Sequence, residues 1–151
     1  MTSAVYWSLR DWTALDGEAV YALLRLRAEV FVVEQNCAFL DPDGHDRHAA
    51  HLFGVDDDGA LLAYARLLPP GIVHAECSIG RIVTASAVRR SGLGRELMAQ
   101  ALSHCRARHP GPIRIGAQQR LQAFYESFGF RPCDTPYLED GILHVAMRLT
   151  E

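Results

Sequence analysis

Residues 78–83 are a short apolar run, and the loop Arg89-Arg90-Ser91-Gly92-Leu93-Gly94 leads from it into Leu93, Leu97, Met98, Ala101, Leu102 and Cys105 at helical spacing. A strand, a glycine loop and an amphipathic helix in that order constrain the fold more than any other stretch, because the helix must start at the loop. The first turn of a helix leaves N–H groups without intrahelical partners, and the macrodipole adds partial positive charge there. Gly92 and Gly94 have no Cβ to keep an anion from the main chain, while Arg89, Arg90 and Arg95 supply charge and forked donors. The loop is therefore a candidate pyrophosphate cradle. A basic surface turn that caps a helix is the other reading.

Two familiar nucleotide motifs do not fit. A P-loop needs Gly-Lys-Ser/Thr at its close, and Gly94 is followed by Arg95-Glu96. A dinucleotide fingerprint needs a third glycine and an acidic residue ending the next strand, and neither is present. What remains is a phosphate site without metal, fed by arginines.

The length of 151 residues is that of one domain, spanning residues 1–151, with a substantial core. A net charge of −3 gives no general attraction for nucleic acid or an anionic membrane, so the arginines at 89, 90 and 95 mark a local site. No run is long enough to span a membrane, and the N-terminus lacks a basic segment followed by an apolar one. A cytoplasmic location is expected. Cys37, Cys77, Cys105 and Cys133 form no Cys-x-x-Cys pair and read as reduced thiols, mostly buried.

Along the chain, residues 5–9 read as a first strand. A helix capped by Thr13 or Asp16 then carries Val20, Leu23, Leu24, Ala28 and Phe31 on one face, and the β-branched residues 30–33 predict that it ends or tightens before Asn36. Residues 51–55 and 61–68 flank an Asp-Gly turn signal at Asp58-Gly59 and predict an antiparallel hairpin. Strands follow at 78–83, 113–117 and 142–149, with helices from Leu93 and over 121–128, the latter stopped by Gly129. The order predicts a layered α/β (α+β) fold on a mixed sheet.

The strand Ile79-Gly80-Arg81-Ile82-Val83, the loop Arg89-x-x-Gly92-x-Gly94 and the downstream Ala123-Phe124-Tyr125-Glu126-Ser127-Phe128-Gly129-Phe130 stand in the order found in the GCN5-related N-acetyltransferase (GNAT) superfamily, which the chain resembles. It is similar to the ElaA-like branch in Leu26-Arg27-x-x-Val30-Phe31-Val32-Val33-Glu34-Gln35-Asn36-Cys37, Gly116-Ala117-Gln118 and Glu139-Asp140-Gly141-Ile142-x-His144. The resemblance implies the acyl-CoA N-acyltransferase fold: a mixed, mostly antiparallel sheet with helices on both faces, and central strands 78–83 and 113–117 splayed around the thioester.

It also implies acetyl-CoA as co-substrate and a small-molecule or peptide amine as acceptor, with direct transfer and no metal. Pantetheine has two amides and can pair with a strand edge, with Ile82 and Val83 as partners. An N–H there would also stabilise the oxyanion. Arg89, Arg90, Ser91, Gly92, Leu93, Gly94 and Arg95 would hold the pyrophosphate. Tyr125 would be the general acid for the departing thiolate, since tyrosine is protonated near neutrality; packing beside Phe124 and Phe128 is its other reading. Gln118 stands where many relatives carry asparagine.

Glu34, His74, Glu76, His144 or a water chain remain open as the base. Residues 31–46 would form part of the acceptor wall. Asp41-x-Asp43-Gly44-x-Asp46 lacks the closing glutamate of a calcium loop and reads as a solvated turn, and nothing requires a metal at His45, His48 and His51. Two other readings, an acyl-CoA-binding regulatory module and an interaction protein without cofactor, differ from the enzyme in turnover and in coenzyme A binding.

Overall fold

The computed structural model describes residues 4–150. Its eight-stranded sheet runs β1 (Tyr6–Asp11), β2 (Ala50–Val55), β3 (Leu61–Leu68), β4 (Cys77–Thr84), β5 (Ile113–Gln118), β8 (Ile142–Leu149) and β6 (Arg131–Pro132), with β7 (Tyr137–Glu139) also paired to β8. Only β4 and β5 run parallel. The mixed, mostly antiparallel sheet with helices on both faces is as expected. Helix α1 (Gly17–Arg27) lies on one face and α2 (Leu93–Arg108) on the other.

Period-2 alternation separates the two cores. Leu52, Ala63, Ala65 and Leu67 pack with Leu97, Met98, Ala101 and Leu102 of α2, whereas Phe53 and Tyr64 pack with Leu23, Leu26 and Val30. β4 changes sides along its length. Ile79 and Ile82 belong to the α2 core and Val83 to the α1 core, because the register slips between Tyr64↔Val83 and Arg66↔Gly80. Arg81 and Ile82 therefore both oppose Ala65, a β-bulge with Arg81 at φ 50°. That extra residue reverses the facing of everything after it.

Local chemistry explains the elements. Asp16, not Thr13, caps α1, its carboxylate accepting from Ala19 N–H at 2.8 Å. The helix widens past Arg27 where tightening was expected: Ala28–Glu34 is a π-helical segment, with Gln35 N–H donating to Val30 C=O and Cys37 N–H to Val32 C=O. In the predicted β2–β3 hairpin, the Asp56 carboxylate accepts from Asp58 and Ala60 N–H, both at 2.9 Å. The last predicted helix is shorter, α3 (Gln122–Glu126). β6 and β7 were not anticipated. The β7–β8 link is a two-residue turn at Asp140 (φ 51°) and Gly141 (φ 78°), both in the left-handed region that such hairpins require.

The cysteine expectation holds for half of the thiols: Cys77 and Cys105 are buried, while Cys37 and Cys133 are partly exposed. Among the described residues no helix is long and apolar enough to cross a membrane.

Candidate active site

β4 and β5 pair at Cys77↔Ile113 and Ser78↔Arg114 and no further. Beyond those two pairs, a cleft of about 780 Å³ opens between the strands. From Ile79 onward the β5-facing edge of β4 is unpaired. The bulge adds a residue outside the β3 ladder in the same stretch.

The predicted site residues divide at this cleft. Ile82, Val83, Arg89, Gly94 and Tyr125 line it, together with Glu34, His74, Gln118 and His144. Arg90, Ser91, Gly92, Leu93 and Arg95 lie beside it at the start of α2. Gly92 sits at φ 86° as the helix N-cap, a backbone geometry that strains any residue with a Cβ. The first helical bond runs from Glu96 N–H to Gly92 C=O at 3.2 Å, and no side chain caps the amides ahead of it. Those amides fit an anionic group.

The side chains of the loop fit it less uniformly than the sequence suggests. Leu93 is buried in the core, so only its main chain can face a ligand. Arg95 turns to α3, with its guanidinium 4.7 Å from the Phe128 ring centre and bonded to Ser127 Oγ at 3.1 Å. Arg89 is ion-paired with Glu34 at the end of the π-helical segment. Glu34 is thus a charge partner of the cradle rather than a free carboxylate.

Tyr125 is 6% exposed on α3, packed edge-on to Phe124 and Phe130. Burial pushes its hydroxyl up to about 12, against a smaller opposing pull from Arg120, so it holds its proton throughout the neutral range. That is the state a general acid requires. His74 is pushed down by desolvation and by Arg114. Glu76 lies off the cleft and pairs with Arg148 at 3.3 Å.

The loop 41–46 is not the solvated turn expected from its composition. Asp41 is 4% and Asp46 7% exposed, and both are tied to arginines from three other elements. Arg27, fully buried, donates from Nε to Asp41 (2.8 Å) and from Nη1 to Asp46 (2.7 Å). Arg66 of β3 donates to Asp43 (2.8 Å) and Asp46 (3.1 Å), and Arg81 from the bulge donates to Asp41 (2.8 Å). Three cations thus meet three anions. Desolvation raises the Asp43 and Asp46 carboxyls, but bonds from the arginines outweigh it and hold both below the usual range. His51 and Tyr64 close the cluster, Nδ1 lying 2.7 Å from the tyrosine hydroxyl and Nε2 2.9 Å from the Asp46 carbonyl. Their effect is to fix the cleft wall, since Phe39, Leu40, Asp43 and His45 line the opening.

Tyr137 and Glu139 also reach the cleft from the unanticipated β7. The Tyr137 hydroxyl passes so close over Gly116 that a Cβ there would lie 2.8 Å from it. Only the Asp140-Gly141 turn signal pointed to this hairpin.

A parallel strand pair that parts after two residues leaves an open slot between its strands, the opening that the acyl-CoA N-acyltransferase resemblance implies. The structure of such an enzyme from Pseudomonas aeruginosa matches this chain with a TM-score of 0.93 at 41% identity, covering 97% of this chain and all of the other. The Escherichia coli ElaA structure matches with a TM-score of 0.90 at 40% identity, covering 97% and 99%.

The acetyltransferase (GNAT) domain family matches residues 29–151, and the chain belongs to it, as an ElaA-like member. In sequence, ElaA of E. coli is 41% identical over 146 residues, covering 95% of each chain. A UPF0039 protein of Synechocystis is 42% identical over 144 residues, covering 95% of this chain and 94% of the relative. The chain is an acyltransferase of the acyl-CoA-dependent class.

Proposed function

We propose that the chain transfers an acetyl group from acetyl-CoA directly to a primary amine, carried by a small molecule or a peptide. The observation that carries this reading is the open edge of β4 in the same cleft as the buried Tyr125. Pantetheine adds to that edge at Ile82 and Val83 as a strand would. The pyrophosphate then falls at the amides of Ser91 to Arg95, with Arg89 and Arg90 supplying charge.

The amine nitrogen attacks the thioester carbon, and a main-chain N–H at the bulge steadies the oxyanion. As the C–S bond breaks, the sulfur takes the Tyr125 hydroxyl proton. The tyrosinate is reprotonated by the N–H that the new amide sheds, so the site returns to its starting state. No step calls on a metal.

The test is thiol release from acetyl-CoA with a panel of amines, beside calorimetry for coenzyme A. Tyr125→Phe is expected to lower turnover by about 10²-fold or more, the scale of a general acid, with coenzyme A affinity nearly intact. Unchanged turnover rejects Tyr125 as the acid. Coenzyme A binding without acceptor-dependent release would instead identify a regulatory module.

A further inference from the structure

We propose that His144 is the general base of this transfer, its Nε2 taking a proton from the incoming ammonium. The assignment rests on the acyl-transfer reading above. Four side chains were chemically eligible, and the structure separates them. Glu34 is engaged with Arg89, Glu76 is off the cleft, and His74 sits by Arg114 on a partly exposed loop. His144 is 9% exposed and lines the cleft directly opposite Gln118, at the end of β5 away from its pairs with β4.

Its surroundings determine which nitrogen is basic. Nδ1 lies 2.7 Å from the Ile142 carbonyl, which can only accept, so Nδ1 carries the hydrogen and donates it. Nε2 is then the nitrogen with the lone pair. Glu139 Oε2 stands 3.7 Å from it. The Tyr137 ring stacks on the imidazole at 5.6 Å and an interplanar angle of 23°, fixing its plane. A base with one nitrogen oriented by a backbone carbonyl and its ring packed in place is an arrangement by which histidine serves in general base catalysis.

The step balances. An ammonium R–NH3⁺ gives one proton to Nε2, leaving R–NH2 and imidazolium. The amine lone pair then forms the C–N bond and the C–S bond breaks, as described above. The imidazolium releases its proton to water, so each turnover yields amide, free thiol and one proton.

His144→Asn tests this, because an asparagine amide can still donate to the Ile142 carbonyl but offers no basic nitrogen. With butylamine, spermidine and a lysyl peptide as acceptors, kcat is expected to fall 10²–10⁴-fold while coenzyme A affinity holds. The acidic limb of the kcat/KM profile should vanish with it. The groups nearest His144 are Tyr137 and Glu139 on β7 and Gln118 on β5, and Asp140 and Arg120 also line the cleft. Glu139→Gln is a control, expected to keep most of the rate because it leaves the basic nitrogen in place. Added imidazole should restore part of the rate to His144→Ala, which a purely structural histidine would not allow. A long-range ¹⁵N spectrum of the wild-type protein should show Nδ1 protonated and Nε2 bare. A full rate in His144→Asn, or the opposite tautomer, overturns the assignment and leaves acyl transfer standing. No acceptor-dependent thiol release by the wild-type chain with any of these amines overturns both.

Discussion

Replacing Arg27 with methionine removes a charge from the interior while keeping an unbranched side chain. Arg27 is 0% exposed and bonds to Asp41 and Asp46, which are themselves buried. The cluster of Arg27, Arg66 and Arg81 with Asp41, Asp43 and Asp46 is neutral as it stands; the substitution leaves one uncompensated carboxylate. Breaking a buried pair from one side costs about 3–5 kcal/mol, because the orphaned ion stays desolvated. In a chain of this size each kcal/mol moves the melting temperature by about 2–4 °C, so a fall of roughly 6–20 °C is expected. Thermal melts followed by circular dichroism measure the fall, and urea titration measures the loss of free energy. Adding Asp46→Asn restores neutrality, and the double variant should be more stable than the summed single effects by about 0.5–3 kcal/mol. Single-variant losses below about 1 kcal/mol, or strict additivity, would refute charge balance as what holds this loop down.

Acid should destabilise the fold in two stages. Burial pushes His51 below its ordinary value, so it contributes stability above its unfolded pKa of about 6.5 that is lost as pH falls below that. Asp43 and Asp46, held low by their arginines, add a second loss below about pH 4. Melting temperatures that stay level from pH 7 to pH 3 would contradict both. Gly116→Ala should cost about 1–3 kcal/mol by driving a methyl into the Tyr137 hydroxyl, and adding Tyr137→Phe should recover much of it. Calorimetric melts showing no loss in the single variant would remove that contact from the account. Arg89→Ala should weaken coenzyme A binding about tenfold and reduce its salt dependence, whereas Glu34→Gln, which frees Arg89, should not weaken it.

The elements were most legible where one local signal decides them. Asp16 before the α1 repeat, Asp58-Gly59 between two apolar runs, and Gly92 before the Leu93–Cys105 face each act within a few residues. The cleft was legible through the order of motifs, since no single motif specifies it. The ionic cluster was hidden for a physical reason: three carboxylates within six residues normally face water, and their partners arrive from 14 to 40 residues away. β7 could have been found, because Asp140-Gly141 carries the same turn chemistry as Asp58-Gly59. The short run before it, with Pro136 at its edge, had no alternation to mark a strand.

The bulge at Arg81 and Ile82 changes which layer each apolar side chain of β4 enters. Ile79 and Ile82, three positions apart, both rest in the α2 core, and Val83 next to Ile82 rests in the α1 core with Val30 of the π-helical segment. A molecule paired along Ile82 and Val83 would therefore lie on a stretch of strand anchored in both layers at once.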